Sequence, residues 1–151
     1  RVAMSNNVVR DSAAHGVFVR GADRGLVQNS IIHTSADTGM TLRDSADMQV
    51  VNNLLYANAT DGLAVGTGGG ASPRPVVSNN TIYANGARGF VLGSGGVASP
   101  GARVFNNIVE ANAGIGFAVD RLSAEGFVAG FNVNSDGYGE DTPVSPFDLL
   151  G

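Results

Sequence analysis

Apolar residues along this chain come in short runs, separated by small or polar residues, and nowhere do they hold a helical spacing over ten or more positions. Within a run they alternate, the period of a strand with one buried face. Three kinds of run recur in a fixed order. The first ends just ahead of an asparagine pair, as in Gly25-Leu26-Val27, Met48-Gln49-Val50, Pro75-Val76-Val77 and Ala102-Arg103-Val104. The second follows the pair and brings Val9, Ile32, Leu55, Ile82 and Val109 into register. The third follows a glycine and sets two apolar side chains on one face: Val17/Val19, Met40/Leu42, Leu63/Val65, Phe90/Leu92 and Phe117/Val119. The chain is therefore predicted to be all-β.

The pairs, Asn-Ser in the second copy, begin at Asn6, Asn29, Asn52, Asn79 and Asn106, in steps of 23, 23, 27 and 27 residues. A glycine follows ten residues later in every copy: Gly16, Gly39, Gly62, Gly89 and Gly116. A unit of this length cannot bury its own apolar face, so it must stack on its neighbours as a solenoid. Three strands per unit give a triangular coil, each strand pairing in parallel with its counterpart about 4.8 Å away in the next turn. One domain over residues 1–151 is predicted, with turns near 2–22, 23–46, 47–72, 73–99, 100–124 and 125–144, and 145–151 as a tail or partial cap. A leucine-rich repeat overlaps in period but needs a leucine frame and a helix or turn where this chain has Gly-Phe-Val-Leu.

The phrases NTIYANGARGFVL and NIVEANAGIGFAV carry a pattern that resembles the repeat of right-handed β-helix proteins, the pectate-lyase-like superfamily, over residues 2 to about 134. The resemblance implies a right-handed, single-stranded parallel β-helix of about six turns. It implies little about chemistry, because the superfamily includes lyases, hydrolases, epimerases, tailspikes and adhesins.

On a strand, residues two apart face the same way, so the second asparagine of each pair points inward. Asn7, Asn53, Asn80, Asn107 and Asn132, with Ser30, are predicted to form an internal ladder in which stacked amides satisfy one another. A second ladder is predicted through Ser12, Ser35, Asn58, Asn85 and Asn112, and the glycines are expected to supply a positive φ. The repeat decays after Asn132. Gly137 falls at the second ladder and Asp141 at the glycine, while Thr142-Pro143-Val144 lies where the third strand should be, with a proline that cannot donate to a further parallel turn. The first turn starts at full strength with Val2 and Met4, which predicts a truncated N-terminus or end-to-end association.

Charge narrows the partners. The net charge is −4, and all nine basic residues are arginine, with no concentrated basic stretch. No nucleic-acid partner and no membrane insertion are expected. Without cysteine the redox compartment stays open, and the resemblance points to an extracellular, cell-surface or periplasmic location. No cofactor is expected; Ca²⁺ enters only if the chain belongs to a lyase.

Two surfaces offer chemistry. On the second face, Val8, Ile31, Leu54, Thr81 and Ile108 form an outward strip beside Arg10, His33, Tyr56, Tyr83 and Glu110, a candidate sugar platform whose tyrosine rings offer flat surfaces. The same strip is also suited to cover by another element or to face-to-face self-association. On the margin of the third face, His15, Asp37, Asp61 and Arg88 lie in adjacent turns and are the candidate catalytic set for proton abstraction. Asp44 with Asp47, and Asp120 with Glu125, are the nearest carboxylate pairs for hydrolysis. The reading favoured is a non-catalytic scaffold or binding segment associated with polysaccharide. The alternatives are part of a polysaccharide lyase, glycoside hydrolase or epimerase, and a purely structural stalk or self-assembling module.

Overall fold

Each asparagine pair turns a corner because its first member takes a backbone conformation that few residues accept. The computed structural model describes residues 1–150, and in it Asn6, Asn29, Asn52, Asn79 and Asn106 have φ between 51° and 58°. Asparagine enters this left-handed region more readily than other residues that carry a side chain. Short strands join the corners into three parallel sheets. The first holds Ala3–Ser5, Leu26–Gln28, Gln49–Val51, Val76–Ser78, Arg103–Phe105 and Val128–Gly130. The second holds Val8–Arg10, Ile31–His33, Leu54–Tyr56, Thr81–Tyr83, Ile108–Glu110, Val133–Asn134 and Leu149–Leu150. The third holds Val17–Arg20, Met40–Arg43, Leu63–Val65, Phe90–Leu92 and Phe117–Val119. The coil thus has five complete turns and a sixth that, among the described residues, has no third strand. The one helical element among them is a 3₁₀ turn at Arg121–Ser123.

Inward residues from all three sheets meet in a single core, with Val50, Leu55, Leu63, Ile82, Phe90 and Leu92 fully enclosed. The first ladder runs beside it. The Asn7 backbone N–H donates to Ser30 Oγ at 3.2 Å, and the Ser30 N–H to Asn53 Oδ1 at 3.0 Å. From Asn53 through Asn80 and Asn107 to Asn132, each rung donates both its backbone and its amide N–H to the next Oδ1 at 2.9–3.1 Å. The remaining amide donors reach carbonyls of the preceding turn, such as Asn80 to Val50 O at 2.9 Å. Asn7, in the first turn, is exposed and gives its amide to Ser5 O at 2.9 Å.

The second ladder runs from the Ser35 N–H through Asn58 and Asn85 to Asn112. Its expected first rung does not join: Ser12 donates its hydroxyl to His15 O at 2.8 Å, and Ser35 Oγ is buried with no protein partner. A third ladder was not foreseen. Ala22, Ser45, Ser72 and Ser99 each donate a backbone N–H to the serine hydroxyl of the next turn, ending on Ser123, at 2.8–3.2 Å. It explains why the two long loops share Ala-Ser-Pro: the serine pins each loop back to the coil.

Several expectations change. The five repeat glycines do not take a positive φ. A Cβ on Gly16 would sit 2.6 Å from Ile32 Cγ2 and 2.7 Å from Gly39 O, and one on Gly89 would meet Val109 Cγ1 and, at 2.8 Å, Gly116 O. Glycine is required by close approach of successive turns, not by backbone conformation. At the next rung of the second ladder stands Asp136, not Gly137, accepting the Asn112 backbone and amide N–H groups at 2.9 and 2.8 Å. Thr142 does not begin a third strand; its hydroxyl accepts from the Val119 N–H at 2.9 Å and donates to Phe117 O at 3.1 Å, closing that sheet edge. The segment expected as a tail or partial cap adds a short strand to the second sheet, where Leu149–Leu150 pairs in parallel with Val133–Asn134. Gly151 lies outside the described residues.

Candidate functional site

The third sheet turns small or apolar side chains outward, yet most are hidden. Thr41, Ala64 and Val91 are 2%, 3% and 1% exposed, whereas Phe18 in the first turn is 45% exposed. They form the floor of a groove. One wall is the column entering the strands, His15, Thr38, Asp61 and Arg88; the other is built from Arg20, Arg43, Asp120 and the glycine loops. In the loop after Leu92, Ser94 and Val97 bridge across Gly95 and Gly96, whose φ values of 67° and 80° make a tight two-residue turn. The preceding loop is tied down, because Arg43 Nε donates to Thr67 O at 3.0 Å.

The groove wall contains two side-chain pairs, His15 with Asp37 and Arg88 with Asp61. His15 Nδ1 lies 3.5 Å from Asp37 Oδ2 and 3.3 Å from Thr41 Oγ1, and the Asp37 carboxylate accepts from Thr60 Oγ1 at 2.9 Å. Asp61, nearly buried, accepts a two-pronged bond from Arg88 at 3.0 and 2.9 Å, and also the Arg88 backbone N–H at 3.1 Å. All four residues thus share one wall, in two separate pairs. The Arg43 guanidinium lies 5.3 Å from the Phe18 ring centroid, and the His15 ring stacks on the same phenyl at 5.2 Å.

The groove opens at its C-terminal end into a cleft of about 220 Å³ lined by Arg88, Val91, Ala118, Asp120, Glu140 and Asp141 together with the Gly93–Gly95 backbone. Glu140 and Asp141 were missed from the sequence; the visible signal was only that the sixth repeat decays there. No three His, Asp or Glu side chains among the described residues are grouped so as to hold a metal ion.

The carboxylates suggested for hydrolysis each have other partners or surroundings. Asp44 is engaged by Arg20 at 3.0 Å, and Asp47 by Arg74 at 2.7 and 2.9 Å. Hydrogen bonding from Arg74 holds the Asp47 carboxyl below the usual carboxylate range. Asp120 caps the 3₁₀ turn through the Leu122 N–H at 2.9 Å, and Glu125 lines a different hollow beside Arg74 and Gly101.

On the second sheet, Arg10, His33, Tyr56, Tyr83 and Glu110 do stand in one register column. Their rings, however, stack on one another: His33 on Tyr56 at 4.7 Å and 10°, Tyr56 on Tyr83 at 5.3 Å and 15°. Stacking thus occupies both faces of Tyr56 and one face each of His33 and Tyr83, and Tyr83 is 39% exposed. Beside it Val8, Ile31 and Ile108 are 64%, 37% and 42% exposed.

No described helix is long and apolar enough to cross a membrane. No curated protein sequence matches the chain. Among solved structures it is similar to the periplasmic alginate epimerase AlgG, with a TM-score of 0.71 and 21% identity over 98% of this chain and 38% of that one. A mutant of the same enzyme gives 0.70 and 22%, with 99% and 38% covered. The Dettilon tailspike protein (gp208) gives 0.59 and 14%, with 98% and 37% covered. These likenesses establish the coil, and the chain spans well under half the length of each. Residues 1–133 match one family, and the chain belongs to it: the right handed beta helix region family.

Proposed function

We propose that this chain is a polysaccharide-binding segment of a secreted or surface β-helix protein, and that glycan lies along the groove over the third sheet without being transformed there. The observation that carries this reading is the cleft at the C-terminal end of the groove, with Val91 and Ala118 as its floor between the charged and hydrogen-bonding groups of Arg88, Asp120, Glu140 and Asp141. A sugar chain has the complementary character, with C–H faces for the floor and hydroxyls for the walls. The similar structures, an alginate epimerase and a tailspike, support the association with polysaccharide, as they support an extracytoplasmic location. Calorimetric titration against acidic and neutral oligosaccharides tests it. Phe18→Ala and Arg43→Ala, both changes at the groove rim, are expected to weaken binding, while Tyr56→Ala on the second sheet leaves it unchanged; no binding to either class rejects the reading.

One observation favours an enzymatic alternative. Asp37, steadied by Thr60, stands beside His15 Nδ1, and a carboxylate orienting one ring nitrogen leaves the other to act as a base toward a bound sugar. A lyase would release an unsaturated product absorbing in the ultraviolet, and an epimerase would exchange solvent deuterium into the sugar. Either signal from the wild type, lost in His15→Ala, would favour catalysis over binding.

A further inference from the structure

The groove is not electrically uniform along its length. Its floor runs Phe18, Thr41, Ala64, Val91, Ala118 in strict register, four strand spacings or about 19 Å. At the Phe18 end stand Arg20 and Arg43 against Asp37 and Asp44, a formal balance of zero with His15 neutral. Arg20 is paired with Asp44, while Arg43 meets a backbone carbonyl and the Phe18 ring but, among the described residues, no carboxylate. At the far end Arg88 faces Asp61, Asp120, Glu140 and Asp141, one positive charge against four negative, or −3. Asp61 consumes the Arg88 guanidinium in its two-pronged bond, so the other three carboxylates are not offset by it.

We infer that the groove sorts its ligand by charge, accepting a carboxylate-bearing sugar beside Phe18 and Arg43 and excluding one from the cleft at Arg88, where hydroxyl or amino groups fit. Its preferred glycan therefore carries isolated uronic acids and not a contiguous run of them. This deepens, and rests on, the reading that glycan binds over the third sheet. The physical basis is like-charge repulsion at the C-terminal cleft, moderated by salt because Glu140 and Asp141 are exposed.

Three pentasaccharide probes test it: one uronic throughout, its carboxyl-reduced neutral counterpart, and one with a single terminal uronic acid. With two exposed carboxylates, Glu140 and Asp141, and the half-buried Asp120 each contributing modestly, the single-uronate probe should bind about tenfold tighter than the fully uronic one at low ionic strength. That gap should close in high salt and in the triple variant Asp120→Asn, Glu140→Gln, Asp141→Asn. In that variant the amide oxygen replacing the Asp120 carboxylate can still accept the Leu122 N–H, and circular dichroism checks the folding. Arg43→Ala should remove the advantage of the single-uronate probe over the neutral one. If the fully uronic probe binds wild type as tightly as the single-uronate probe, or the gap survives in the folded triple variant, charge sorting is wrong while groove binding stands. If none of the three binds, both are wrong.

Discussion

Asp148 Oδ1 accepts both the backbone and the side-chain N–H of Asn132, at 2.9 and 3.1 Å, taking the place of the next asparagine rung. Asp136 does the same for Asn112 in the second ladder. Each rung donates toward the C-terminal end, so a final asparagine would leave its own amide donors without a next rung. A carboxylate accepts and has nothing left to donate, which is the chemistry the last position needs.

Asp148→Ala should therefore lower stability by about 2 kcal/mol, because it leaves buried donors of Asn132 unsatisfied. Asp148→Asn retains the accepting oxygen and should lose less. Urea midpoints at unchanged m-value measure this; an Asp148→Ala midpoint equal to wild type would remove the capping role.

Tyr138 gives a prediction about pH. Burial, and then its 2.7 Å hydrogen bond to Asp148, push the phenol well above the ordinary tyrosine value. The unfolded phenol ionises near pH 10, so above about that pH the unfolded state holds fewer protons than the folded one and stability falls as pH rises. The contribution is fully present below about pH 10. Tyr138→Phe should flatten this alkaline decline in a denaturation series run from about pH 9 to about pH 11; an unchanged slope would assign the decline to other groups.

The two classes of glycine should separate cleanly. Gly89→Ala forces a methyl against Val109 and the Gly116 carbonyl and should cost about 3 kcal/mol, in the range of overpacked cores. Gly95 has φ +67° and open space around its Cβ position, so Gly95→Ala should cost only the left-handed conformation, about 1–2 kcal/mol. Thermal or urea unfolding of the two variants decides the order, and equal losses would contradict the assignment.

The coil was legible because its constraints repeat. An inward amide, an inward aliphatic and a crowded glycine recur at each turn, so one misreading cannot survive five copies. Asn80, Asn107 and Asn132 are 1% exposed, as alternation demands. The serine ladder was hidden because Ser45, Ser72, Ser99 and Ser123, at steps of 27, 27 and 24 residues, stand in connecting segments with no apolar alternation to mark an inward position. The end of the coil was misread because Asp136 and Asp148 perform an asparagine's accepting role without its name. In the second-sheet column the register was legible, but which ring faces stay free depends on rotamers, and at about 4.8 Å strand spacing stacked rings use each other's faces.

Alternation, the asparagine pairs and the glycine spacing were enough to establish three parallel sheets and an inward polar column, since strand geometry leaves each side chain only two directions. Which charges meet at the C-terminal cleft was decided in three dimensions. Turn-to-turn register already sets Asp61 beside Arg88, whereas the path of the chain after Val133–Asn134, which no repeat specifies, is what sets Glu140 and Asp141 beside Asp120.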